Sequence, residues 1–108
     1  GYDNYWVFDK NFDYHNQFAA QVTAPRCGRQ MTIHTDQPSI ILYTANYIDG
    51  SHIGKDGCRY QKRAALCLEP QRAVDINGCN NFTTTLLQSN SPFYSKTSYQ
   101  FDVTIKNW

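Results

Sequence analysis

Between residues 97 and 105 the chain alternates with a period of two: Tyr99, Phe101, Val103 and Ile105 fall on one side of an extended backbone, with polar residues between them. Successive side chains of a strand leave opposite faces, so this pattern marks a β-strand with one face covered. The same period recurs at residues 30–35, where Met31 and Ile33 alternate with Thr32 and His34. No segment carries a convincing helical period. The expected fold class is therefore all-β with antiparallel strands.

Shorter runs fit the same class. Tyr5-Trp6-Val7-Phe8 is an aromatic run of strand type, closed by the polar loop of residues 9–16. Phe18-Ala19-Ala20-Gln21-Val22-Thr23 is a further strand candidate, stopped by Pro25 and Gly28. Ile40-Ile41-Leu42-Tyr43 is unbroken apolar sequence, suited to a strand covered on both faces. The intervening Asp36-Gln37-Pro38-Ser39 has turn chemistry, and predicts a hairpin between the strands on either side. Asp49-Gly50 opens a long loop to about residue 61. Ala64-Ala65-Leu66-Cys67-Leu68 then reads as the strand that delivers Glu69 at its end, and Pro70 biases Glu69 toward extended backbone. Residues 72–81 read as loop, Thr83-Thr84-Thr85-Leu86-Leu87 as β-prone, and residues 88–92 as a turn.

Length and charge exclude several classes. A chain of 108 residues is one domain or a piece of one, and buries only a modest core by itself. Its net charge of +1, with signs interspersed, offers no basic stripe for nucleic acid and no polybasic membrane patch. No apolar run is long enough to cross a bilayer as a helix, and no signal peptide is visible. The start at Gly1 suggests a piece of a longer protein. Cys27, Cys58, Cys67 and Cys79 could form two disulfides in a secreted protein, whereas Cys67 also suits a buried free thiol. None shows the paired spacing of a zinc site. Asn81-Phe82-Thr83 matches the N-glycosylation acceptor pattern, and the low charged fraction favours secretion slightly over the cytoplasm.

The chemistry concentrates at Leu68-Glu69-Pro70-Gln71, where one carboxylate stands in a charge-poor stretch. A carboxylate at the inward end of a strand, held by a glutamine, can be kept dry and basic, as a proton-transfer catalyst requires. A purely structural carboxylate is the alternative reading of the same residues.

The ordered blocks Gly1-Tyr2-Asp3, Tyr43-Thr44-x-Asn46-x-x-Asp49-Gly50, Cys67-Leu68-Glu69-x-Gln71, Asp75, Phe82 and the closing strand at Tyr99-Gln100-Phe101 resemble the last third of the aldose 1-epimerase (mutarotase) family. The resemblance covers essentially the whole chain. It implies that residues 1–108 are the C-terminal portion of a single large β-sandwich, which needs the N-terminal remainder as partner. It further implies the interconversion of α and β anomers of a hexose such as glucose or galactose, with no metal or organic cofactor. Glu69 matches the family's general base, and Asp3 the aspartate that binds sugar hydroxyls. The family's acid is a histidine upstream of Gly1, and nothing places His15, His34 or His52 beside Glu69.

Departures from the family pattern leave a second reading open. Asn4 stands where histidine is usual, Pro70 where threonine is common, and Ile41 where many relatives carry a sugar-contacting glutamine. Loss of that amide removes two donors and an acceptor. The alternatives are an enzyme of altered sugar preference, a non-catalytic sugar-binding or structural module, and a small disulfide-stapled β-domain. Tyr2, Tyr5, Trp6 and Phe8 could stack on a sugar, although core packing suits Trp6 and Phe8. Arg59 with Lys62-Arg63 reads as a solvated rim or a phosphate contact, Asp49 as a turn residue, and Asp75 as a brace for the loop after Glu69.

Overall fold

The apolar alternation is realised as six β-strands in a computed structural model, which describes residues 1–9, 15–72 and 86–104. They are β1 (Asp3–Val7), β2 (Gln17–Thr23), β3 (Arg29–Thr35), β4 (Ser39–Tyr43), β5 (Cys67–Gln71) and β6 (Thr97–Val103). The only helical element among the described residues is one 3-10 turn at Lys55–Gly57. All pairings are antiparallel, and they make two three-stranded sheets with strand orders β1-β4-β5 and β2-β3-β6. All-β, antiparallel architecture is thus what the chain adopts.

The β2–β3 hairpin closes through the Ala24 N–H to Arg29 O bond (2.8 Å) and the Gly28 N–H to Ala24 O bond (2.9 Å). Gly28 has φ of +70°, a region costly for other L-residues. Its carbonyl also accepts from the Thr104 N–H at 2.8 Å, and an added Cβ would strike the Thr104 carbonyl oxygen. Close approach and positive φ both demand glycine there. In the β2–β3 ladder the register slips between Phe18 and Ala20, a bulge next to the hairpin's open end.

The link between β3 and β4 is not a hairpin. Both edges of β3 are taken by β2 and β6, and both edges of β4 by β1 and β5, so residues 36–38 carry the chain from one sheet to the other. A proline-containing turn closes a hairpin or a crossover equally well, and long-range pairing decided between them. Most of the well-buried side chains among the described residues lie in this link and its flanks: Ile33 and Thr35 at 0% exposure, Gln37 at 6%, Ser39 at 0% and Ile40 at 4%. Their polar groups are satisfied across the fold, as burial requires. Thr35 Oγ1 bonds Thr97 Oγ1 (2.9 Å), Ser39 Oγ donates to Gln71 O (2.6 Å), and the Phe8 N–H donates to Pro38 O (3.0 Å).

Asp36 is the hub of the link. Its carboxylate accepts from the Lys96 N–H (2.8 Å), Ser95 Oγ (3.1 Å) and Gln37 Nε2 (2.9 Å), while its own N–H donates to Lys96 O (3.2 Å). Burial by itself would raise the Asp36 pKa. The bonds from Gln37, Lys96 and Ser95 outweigh it and hold the carboxyl below its ordinary value.

Strand β5 also differs from its expected span. It runs over Cys67–Gln71 rather than residues 64–68, so Glu69 is central in the strand and not at its end. Ahead of it, Arg63 at φ +61° and the Ala64 N–H to Gln61 O bond (3.1 Å) form a turn instead. Pro70 is accommodated because β5 pairs with β4 alone among the described strands, and a proline is tolerated where its nitrogen faces away from the ladder. Residues 86 and 87 are not in a strand, and residues 88–91 form the expected turn, with the Ser91 N–H donating to Gln88 O at 3.2 Å. Asp75, Cys79, the Asn81-Phe82-Thr83 tripeptide, Thr84, Thr85 and Ile105 lie outside the described residues.

Much apolar surface stays open. Phe101, Val103 and Tyr99, the alternating face of β6, are 72%, 63% and 48% exposed. The accessible surface of 8801 Å² exceeds the about 6,200 Å² typical of a compact monomer of this mass. The radius of gyration, 17.1 Å, likewise exceeds the about 13 Å expected for a compact domain of this length. These sheets therefore lack the cover that a closed sandwich gives its inner faces.

Two outcomes test this account. Asp36→Ala is expected to destabilise the protein by about 1–3 kcal/mol, the range for a carboxylate bonded to several donors, read from denaturant midpoints. Because the native pKa is depressed, the Asp36 contribution is present above the ordinary carboxylate range and is lost as pH falls through the depressed native value. The gap between wild type and variant should narrow there, and an acid-independent gap would refute the clamp. Gly28→Ala should cost more than about 1 kcal/mol by the same measurement, through the blocked Thr104 carbonyl and the positive φ.

Candidate active site

In the β1-β4-β5 sheet, register assigns every side chain to a face. Three adjacent rows run Asp3–Tyr43–Cys67, Tyr5–Ile41–Glu69 and Val7–Ser39–Gln71, and their side chains share one face. Asn4, Leu42, Leu68, Trp6, Ile40 and Pro70 take the other. The second face is the better covered one, with Ile40 buried and Leu42, Leu68 and Pro70 half-buried. The first is more open: Asp3, Tyr5, Cys67 and Glu69 are all exposed.

Asp3 and Glu69 therefore stand on the same open face, on β1 and β5, with β4 between them. Two strand spacings across and two residues along put their Cα atoms about 12 Å apart, from ordinary sheet dimensions. Among the described residues nothing bonds the Glu69 carboxylate. Gln71 does not hold it as expected: Gln71 sits two residues along the same face, and its main-chain oxygen is engaged by Ser39 Oγ. The expected dryness is also absent here, because Glu69 is exposed.

Asp3 is positioned by the residues just beyond β4. The Tyr2 carbonyl accepts from Asn46 Nδ2 (2.8 Å) and the Thr44 N–H (3.1 Å), while the Tyr2 N–H donates to Thr44 Oγ1 (2.8 Å). Thr44 Oγ1 is bonded in turn to Asn46 Oδ1 at 2.9 Å. The Tyr43-Thr44-x-Asn46 block thus clamps the segment that enters β1 and sets the register of Asp3. Asn4 is on the opposite face, where its Oδ1 accepts from the Asp3 N–H at 3.2 Å.

Asp49 is a turn residue, as expected. Its Oδ1 accepts from the Ser51 N–H at 2.9 Å, and bonds from the Ser51 side chain and N–H, with His52 nearby, lower its pKa. Arg59 closes the same loop by donating to Gly50 O at 3.2 Å, which favours a structural role over a phosphate contact. No described histidine lies in a strand of the Asp3–Glu69 sheet. His34 lies in β3 of the other sheet, edge-on to Phe18 with ring centroids 6.1 Å apart. His15 and His52 are exposed in connecting segments.

Trp6, expected in the core, is 53% exposed, because no described residue covers the β1 edge of its face. Cys67 is also exposed rather than buried. It and the exposed Cys27 and Cys58 are free thiols, so no disulfide joins described residues. Tyr5, Tyr43 and Cys67 were not singled out as sharing the Asp3–Glu69 face. Their parity within each run is readable from sequence, but the register that aligns three runs is not.

Comparison with known proteins identifies the family. Residues 1–100 match the family described as aldose 1-epimerase. The galactose mutarotase of Mus musculus is 34% identical over 100 residues, which cover 89% of this chain and 29% of that protein. Those of Homo sapiens and Bos taurus are each 33% identical over the same shares. The chain thus spans less than a third of the length of the curated relatives it matches. With the match running over residues 1–100, the chain belongs to the aldose 1-epimerase family.

Proposed function

We propose that the protein to which this chain contributes interconverts the α and β anomers of a hexose such as glucose or galactose, with Glu69 as general base and Asp3 as a hydroxyl-binding group. The observation that carries this reading is the register that sets Asp3 and Glu69 on one face, with Cα atoms about 12 Å apart. Family membership supports it, and the relatives named galactose mutarotase supply the substrate class.

Ring opening needs a base at the C1 hydroxyl and an acid at the ring oxygen, with the roles exchanged on closure. Glu69 would take the C1 hydroxyl proton. After rotation about the C1–C2 bond, the re-formed hydroxyl takes a proton back from it. Two carboxylate oxygens at Asp3 suit a pair of vicinal hydroxyls. None of the strands of this face carries a histidine, so the acid would come from the remainder of the sandwich. The uncovered apolar surface supports that remainder as the partner of these sheets, and its docking would also shield Glu69 from water.

The alternative is a non-catalytic mutarotase-like module that binds sugar or serves structure. Ile41, placed beside Glu69 where a hydrogen-bonding side chain would help hold the substrate, favours it.

In the complete protein, Glu69→Gln should lower the rate of anomer exchange, followed by polarimetry, by about 100-fold or more while sugar affinity changes little. Unchanged turnover would remove Glu69 from the base role. A wild-type protein that binds sugar without exchanging anomers would instead establish the binding module. Asp3→Ala should weaken sugar binding by about 10-fold, from the loss of a charged hydrogen-bonding partner, and unaltered affinity would show that Asp3 does not touch the sugar.

A further inference from the structure

The side chains between Asp3 and Glu69 are the least polar part of this face. Ile41 sits in the central strand, directly opposite Tyr5 on one side and Glu69 on the other. Opposed residues in antiparallel strands have Cβ atoms about 4.5–5.5 Å apart, so Ile41 flanks the carboxylate closely. One row along, Tyr43 stacks on Tyr47, with ring centroids 6.4 Å apart and planes 17° from parallel. The Tyr43 hydroxyl accepts from the Tyr47 N–H at 3.3 Å. That pair holds the Tyr43 ring in place, and Tyr5, at 39% exposure, offers a second ring on the same face.

Given the proposed sugar site, on which this inference rests, we infer that Tyr43, Ile41 and Tyr5 form an apolar floor that meets C–H groups rather than hydroxyls. The site then accepts deoxy sugars lacking the hydroxyl that would lie over Ile41. Aromatic and aliphatic side chains bury the C–H patches of a pyranose well. Ile41 has no donor or acceptor, so a hydroxyl above it would lose water and gain nothing in exchange. A polar site rejects an analogue that lacks the hydroxyl it reads, whereas an apolar floor discriminates weakly against the same loss. Specificity would reside at the rim, in Asp3 and Glu69, with the floor permissive at one carbon.

Methyl glycosides of galactose and glucose, whose anomeric centre is locked, separate recognition from catalysis. Their binding to the complete protein, and that of their monodeoxy counterparts, is measured by titration calorimetry. At least one monodeoxy glycoside is expected to bind within about 10-fold of its parent. Ile41→Gln should then widen that same ratio by about 10-fold, because the new amide is left unpaired when the hydroxyl is missing. Weakening of every deoxy glycoside by more than about 10-fold in the wild type would overturn the inference, since each hydroxyl would then be read. An unchanged ratio in Ile41→Gln would remove Ile41 from the sugar contact and overturn it equally. Failure of both parent glycosides to bind would instead refute the sugar site itself.

Discussion

The crossover between the sheets, held by the Asp36 carboxylate, is the constraint on which the rest of the arrangement depends. Residues 33–40 include the fully buried side chains among the described residues, and they span the end of β3, the link and the start of β4. A carboxylate there is costly unless its lone pairs are taken, and donors from Gln37, Ser95 and Lys96 take them. Those bonds tie the entry of β6 to the crossover, while Ser39 ties β5 to it and Pro38 ties the end of β1. Strands from both sheets are thereby registered against one short buried segment.

The candidate site inherits its geometry from that registration. β4 starts at Ser39 in the buried crossover and ends at Tyr43 beside the Thr44–Asn46 clamp, so it is pinned at both ends. β1 and β5 are read against it, and Asp3 and Glu69 reach a common face only because each is an even number of residues from a shared row. A slip of one residue in either ladder would send one carboxylate to the opposite face. The face that packs is lined by Ile40, Leu42, Leu68 and Pro70, which leaves the other free to carry polar groups.

The strands themselves were largely legible. β2, β3, β4 and β6 fall where alternation or β-branched runs placed them, within one or two residues at their ends. β5 was displaced because the apolar Ala64-Ala65-Leu66 stretch resembles a strand, whereas a proline inside one argues against it. The edge position of β5 removed the objection to Pro70, and edge position is not a local property. The exposure of Trp6 and Cys67 was equally illegible, since burial depends on what covers a face and not on the residue that occupies it.

By itself, the sequence determined the class of structure, the parity of side chains within each run, and the residue types available for proton transfer and hydroxyl binding. These follow from the sterics of extended backbone and from side-chain chemistry, which act over a few residues. The tertiary structure alone decided that residues 36–38 cross between sheets, that β4 lies between β1 and β5, and that Asp3 and Glu69 share one face. Strand pairing joins residues dozens of positions apart, and its energy comes from ladders and buried contacts that exist only once the chain has closed those long loops.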